Sequence, residues 1–133
     1  MYKRQLAFDL KNDSDMGYDD NDYEINIALW NDKPVLTFRA FGAPEPPGNL
    51  TKDAKVAIVR NEAAKTTVYE LALPLRDMPP WTGENLKGKC VRFNFVVNDD
   101  DGKTARRTKW IGVTKGIAEA KKPSYFKNIL FVE

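Results

Sequence analysis

Histidine is absent from this 133-residue chain, and cysteine occurs once, at Cys90. Without histidine there is no Ser-His-Asp or Cys-His catalytic constellation, and no His-ligated zinc or haem. A lone cysteine makes no internal disulfide. It opens a strand-like segment and reads as a small apolar core residue rather than a reactive thiol. An excess of one charge is missing too. The 21 Lys and Arg stand against 19 Asp and Glu, interspersed, which offers no basic stripe to nucleic acid. No apolar run approaches the roughly 18 residues of a membrane helix. Residues 1–5, Met-Tyr-Lys-Arg-Gln, carry no leader pattern. They read either as a non-native tail resembling a translated sequencing adapter or as a plain basic N-terminus. On the first reading, upstream strands or a signal peptide have been lost and the domain runs over 6–133.

Helical periodicity is also scarce, whereas period-two alternation recurs. Between Val91 and Asn98, Val91, Phe93, Phe95 and Val97 face one way and Arg92, Asn94, Val96 and Asn98 the other, the pattern of a half-buried antiparallel strand. Tyr23–Trp30 repeats it, with Tyr23, Ile25, Ile27 and Leu29 opposite Glu24, Asn26, Ala28 and Trp30. Further strands are expected over Leu6–Leu10, Val35–Phe41, Ala54–Arg60, Thr66–Leu73, Ala105–Trp110 and Ile129–Val132. Turn formers separate them: Asn31–Pro34, Asn61–Lys65 and Asp99–Gly102. The Pro-rich stretch Gly42–Asp53 cannot join a sheet interior, and Leu75–Met78 suits one helical turn. About eight short strands at this spacing predict one all-β domain, an antiparallel β-sandwich or jelly roll.

Two groups of side chains carry chemistry. Asp13, Asp15, Asp19, Asp20 and Asp22 crowd one loop, with Glu24 just inside the next strand. Clustered carboxylates are hard oxygen ligands that suit Ca2+, yet their spacing is not that of the twelve-residue helical calcium loop. A solvated, turn-rich loop is the equal alternative. Asp99-Asp100-Asp101-Gly102 reads as a turn rather than a carboxylate pair. The second group is aromatic: Tyr18, Trp30, Phe41, Trp81 and Trp110. Flat rings flanked by hydrogen-bonding side chains are the physical solution for holding the C–H faces of sugars. Trp30 and Phe41 fall on the polar faces of their strands with Glu24 and Arg39, whereas Trp81, after two prolines, reads as a lid over one end of the core. For any one aromatic, core packing is the competing reading.

The segments Tyr18–Ile25, Phe38-Arg39, Tyr69–Pro74, Phe93–Gly102, the strand end at Trp110 and Pro123–Phe126, in this order, resemble carbohydrate-binding module family 9. Those are β-sandwich modules joined to xylanases and other glycoside hydrolases. The resemblance spans Leu6 to Val132 and implies a non-catalytic module of a larger, secreted polysaccharide-degrading protein, acting outside the cell or in the periplasm. Its partners would be plant-type polysaccharides such as xylan, not nucleic acid or membrane. It also implies that Tyr18 stacks on a terminal sugar, that Glu24 and Arg39 bond its hydroxyls and that calcium plays a structural part; Trp30 and Trp110 of the aromatic group and Asp15, Asp19, Asp20 and Asp22 of the acidic loop are the further candidates for sugar and calcium. Two departures stand out. The stretch Ile117–Lys122 has no aromatic where the family places a second one, and Phe41 and Val96 stand where amides are expected. A spacer domain that has lost sugar binding is therefore the alternative.

Overall fold

In the computed structural model, residues 3–39, 53–81, 85–99 and 109–132 are described. Two antiparallel sheets form. The larger has six strands: β1 (Lys3–Asp9), β2 (Asp22–Trp30), β3 (Lys33–Arg39), β6 (Cys90–Asp99), β7 (Lys109–Gly112) and β8 (Lys127–Leu130). Their order is β3-β2-β1-β6-β7, and β8 pairs with the first half of β6. The smaller sheet is the hairpin of β4 (Lys55–Asn61) and β5 (Thr66–Ala72). The expected all-β sandwich is the observed fold.

Alternation explains why these segments pair as they do. Tyr23, Ile25 and Ile27 of β2 are buried against Val91, Met78, Trp81 and Leu10, with Val56, Ile58, Tyr69 and Leu71 of the hairpin packed over them. This is the core between the sheets. Each large side chain removed from water there contributes about 1.5–3 kcal/mol. Trp81 is buried with its ring edge-on to Phe131, the expected lid. The sheets do not cover each other fully. A cavity of about 310 Å3 lies between Leu6, Ile27, Phe95 and Val97 on one side and Tyr69 and Leu71 on the other. On the same side of the larger sheet, Ile111 is 75% exposed.

Several boundaries differ from the expectation. β1 begins at Lys3, not Leu6, and Lys3–Gln5 pair with both β2 and β6. The β2–β3 connection tightens to Asn31 and Asp32, both with left-handed φ (48° and 59°), a two-residue hairpin turn that Asn and Asp tolerate. This lets Pro34 enter β3, where the edge position needs no N–H. The expected helical turn is a 3-10 turn at Leu75–Asp77, and β8 lies two residues earlier than expected. β7 begins at Lys109, and the rest of the expected strand, like Phe41 and the Asp99–Gly102 turn beyond Asp99, lies outside the described residues. Cys90 is not in the core. It is half-buried under the β1–β2 loop, where Asn12 Nδ2 donates to its Sγ at 3.6 Å.

Candidate functional site

The other side of the larger sheet carries the polar residues of each strand. Register fixes their rows. Arg39 of β3 lies opposite Glu24, Glu24 opposite Ala7, and Ala7 opposite Asn94. The next row is Thr37, Asn26, Gln5, Val96 and Gly112, and Trp110 pairs with Asn98 beyond it. Glu24, Asn26, Gln5, Asn94 and Asn98 are all buried. Burying so many polar groups costs several kcal/mol unless they are bonded; Glu24, Gln5 and Asn98 bond one another, and Asn94 bonds the Thr114 backbone. Gln5 is the hub. Its Nε2 donates to Glu24 Oε1 at 2.8 Å, and its Oε1 accepts from Asn98 Nδ2 at 2.9 Å. One atom is left over: Asn26 Oδ1 is buried with no hydrogen-bond partner.

Two loops cover part of this face. From the β1–β2 loop, the Tyr18 hydroxyl donates to Glu24 Oε2 at 3.1 Å. Burial, and then the Glu24 carboxylate, push that hydroxyl well above its ordinary pKa, so it remains a donor. From the loop at 113–126, Lys121 Nζ donates to the same Glu24 oxygen. Asn94 anchors this second loop by accepting from Thr114 N–H (3.1 Å) and donating to Thr114 O (3.3 Å). Beneath both loops lies a second apolar cluster of Ala7, Val96, Ile117 and Phe126, with Tyr18 and Trp110 packed against it. Tyr18 meets Phe126 edge-on at 6.2 Å.

The structure thus joins Tyr18 to Glu24, places Arg39 opposite Glu24 in the strand register and sets Trp110 on the same face. Trp30 is on that face but 57% exposed, and six residues along β2 from Glu24, about 20 Å away. Glu24 is fully buried, its oxygens held by Gln5, Tyr18 and Lys121. Sequence reasoning set Gln5 aside as part of a tail and gave Lys121, Asn98 and Asn26 no role. The alternation Gln5, Ala7, Asp9 was the signal available for Gln5. Nothing in the spacing marks Lys121.

The acidic loop is folded onto itself at the end of this face. Asp9 Oδ1 and Oδ2 accept from the backbone N–H groups of Asn12, Asp13 and Ser14 (2.6, 3.3 and 3.2 Å), and Arg92 Nη1 lies 3.3 Å from Oδ2. Burial nevertheless raises the Asp9 pKa against those pulls. Asp19 Oδ1 accepts from Asn21 N–H and Nδ2, Asp15 lies exposed 3.6 Å from Arg92, and Asp20 is exposed. Asp22 Oδ2 accepts from Asp19 N–H at 2.7 Å and the Ser14 side chain lies against the same carboxylate, although neither the buried Asp22 Oδ1 nor Ser14 Oγ nor Asn12 Oδ1 meets full hydrogen-bond geometry. Burial pushes the Asp22 pKa up to about 7. Among the described residues, no three acidic or cysteine side chains stand close enough to hold a metal ion. The incompletely bonded loop oxygens are hard donors suited to calcium.

The fold has solved counterparts. The chain superposes on a family 9 carbohydrate-binding module from Caldicellulosiruptor kristjanssonii in complex with cellotriose. The TM-score is 0.69 at 17% identity, over 99% of this chain and 58% of that one. It also superposes on a module of that family and organism in complex with glucose, with a TM-score of 0.66 at 19% identity, over 98% of this chain and 59% of that one. The fold is that of a family 9 carbohydrate-binding module. This chain therefore spans somewhat under three fifths of the length of these neighbours. Neither a protein-family model nor a curated protein sequence matches it.

Proposed function

We propose that this chain is a non-catalytic carbohydrate-binding module, and that sugar seats on the polar face of the larger sheet between Tyr18, Arg39 and Trp110. One observation carries the reading: a cluster of buried amides and a carboxylate that leaves Asn26 Oδ1 without a partner, where apolar residues would pack without the polar desolvation cost. Sugar hydroxyls both donate and accept, so they match such a cluster. The sandwich shared with modules named for bound glucose and cellotriose supports it. Glu24 acts here from beneath, orienting Tyr18 and Lys121, rather than by bonding the sugar directly. Trp30 takes no part. We further place the module in a larger, secreted polysaccharide-degrading protein, linked to a catalytic domain and acting outside the cell or in the periplasm on plant-type chains such as xylan. Calcium, in this reading, is structural and held by Asp22 Oδ1, Ser14 Oγ and Asn12 Oδ1.

The test is an amide NMR spectrum titrated with cello- and xylo-oligosaccharides. Shifts confined to Gln5, Tyr18, Asn26 and Trp110 are expected. A dispersed spectrum that does not move refutes the reading in favour of a structural spacer. That alternative draws on Lys121, whose ammonium already occupies the Glu24 carboxylate.

A further inference from the structure

The loop that covers part of the polar face carries three lysines and one carboxylate, the exposed Glu119. The loop at 113–126 contributes Lys115, Lys121 and Lys122, and its path is closed by backbone bonds. Lys122 N–H donates to Gly116 O at 2.9 Å, and Tyr125 N–H to Lys122 O at 3.1 Å. Lys121 has a left-handed φ of 49°. This reversal sends neighbouring lysines in different directions. Lys121 turns inward to Glu24, while Lys122 joins Lys115 over a single ring, their Nζ atoms 5.9 and 4.8 Å from the Tyr125 centroid. Tyr125 is 39% exposed. Among the described residues neither Lys115 nor Lys122 meets a carboxylate. Two ammonium groups over one ring repel each other, and the ring's weak attraction for cations does not neutralise them. An anion seated there would.

We propose that this loop selects an acidic glycan. The carboxylate of a uronic acid accepts from Lys115 and Lys122 beside Tyr125, while a neighbouring sugar of the same chain occupies the polar face. The proposal rests on the sugar-binding reading above and names its ligand class. Glu24 neutralises Lys121, so the selecting charges are those of Lys115 and Lys122.

Calorimetric titration with tetragalacturonate, a sulfated galactose tetrasaccharide and cellotetraose tests it. The proteins are the wild type, the double variant Lys115→Gln/Lys122→Gln and a distant control, Lys33→Gln/Lys55→Gln. The uronate should bind about fivefold tighter than the neutral tetramer, scaled from two exposed ion pairs. That advantage should vanish in the loop variant, persist in the control and shrink as salt is raised. Equal binding of neutral and uronate sugars overturns the proposal, as does an advantage lost equally in the control. Preference for the sulfated sugar overturns the uronate assignment. Silence from every sugar overturns the sugar-binding reading itself.

Discussion

Replacing Asp22 with Asn should stabilise this protein, and by an amount that depends on pH. Asp22 is fully buried at the junction of the acidic loop and β2, with one oxygen bonded to Asp19 N–H and the other short of full hydrogen-bond geometry. Burial pushes its pKa up to about 7 from the ordinary carboxylate value of 3.8, so between those values the folded chain retains a proton that the unfolded chain releases. The contribution of Asp22 to stability is therefore full below about pH 4, falls as pH rises from about 4 to about 7, and stays low above that. At 1.36 kcal/mol per unit, the charged form costs about 4 kcal/mol at pH 8 and under about 1 at pH 4. Asparagine keeps the bond from Asp19 and swaps one incompletely bonded polar atom for another, so the charge is what changes. Allowing for relaxation of the loop, Asp22→Asn should gain about 2–4 kcal/mol at pH 8 and little at pH 4. Urea denaturation at both pH values, with a chelator present, measures it. Asp9, raised in the same direction, should leave a smaller residual slope in the variant. An equal gain at both pH values, or a loss at pH 8, would refute the reasoning. Added calcium should raise the wild-type midpoint and not the variant's, which tests the proposed ion directly.

Glu24→Ala removes the acceptor shared by Gln5, Tyr18 and Lys121. It should cost about 3 kcal/mol, because buried donors are left unpaired. A wild-type denaturation midpoint would remove Glu24 from its central place. A Cβ at Gly116 would stand 2.8 Å from both Lys122 O and the Phe126 ring, so Gly116→Ala should cost about 1–3 kcal/mol and shift the Lys122 amide. An unchanged melting temperature and amide would refute the loop closure. Trp30→Ala, at an exposed strand end, should leave stability within about 0.5 kcal/mol and sugar affinity unchanged. A loss of affinity on titration would return Trp30 to the site.

Much of the fold was legible because alternation reports which face a residue occupies. Tyr23, Ile25 and Ile27 could be assigned to the core, and Glu24 to the face of Arg39, from period two alone. Alternation does not report distance along a strand, and Trp30 is the case in point: it shares the face of Glu24 but stands six residues along β2 from it. Nor does it reach loops. The inward turn of Lys121 depends on a left-handed backbone at one residue and on the Asn94–Thr114 anchor, neither written in hydrophobic pattern. Gln5 was obscured by basic neighbours whose pairing with β2 and β6 only the tertiary structure reveals. The acidic loop was visible as a cluster, but which carboxylates its own N–H groups would occupy depends on the path of the chain.

The place of β1 in the sheet has a consequence for synthesis. Its two neighbours are β2, about twenty residues on, and β6, about ninety residues on. A chain emerging from the ribosome can zip β1 to the β2–β3 hairpin early, but the other edge of β1 stays unpaired until β6 has been made. Over that interval, Gln5 lacks Asn98 and the inward side of β1 lacks Phe93 and Phe95. Closing so long a loop is slow, and an open strand edge invites pairing with other chains. Slower translation before residue 90 would lengthen that exposure, so soluble yield should depend on the rate at which the middle of the chain is translated.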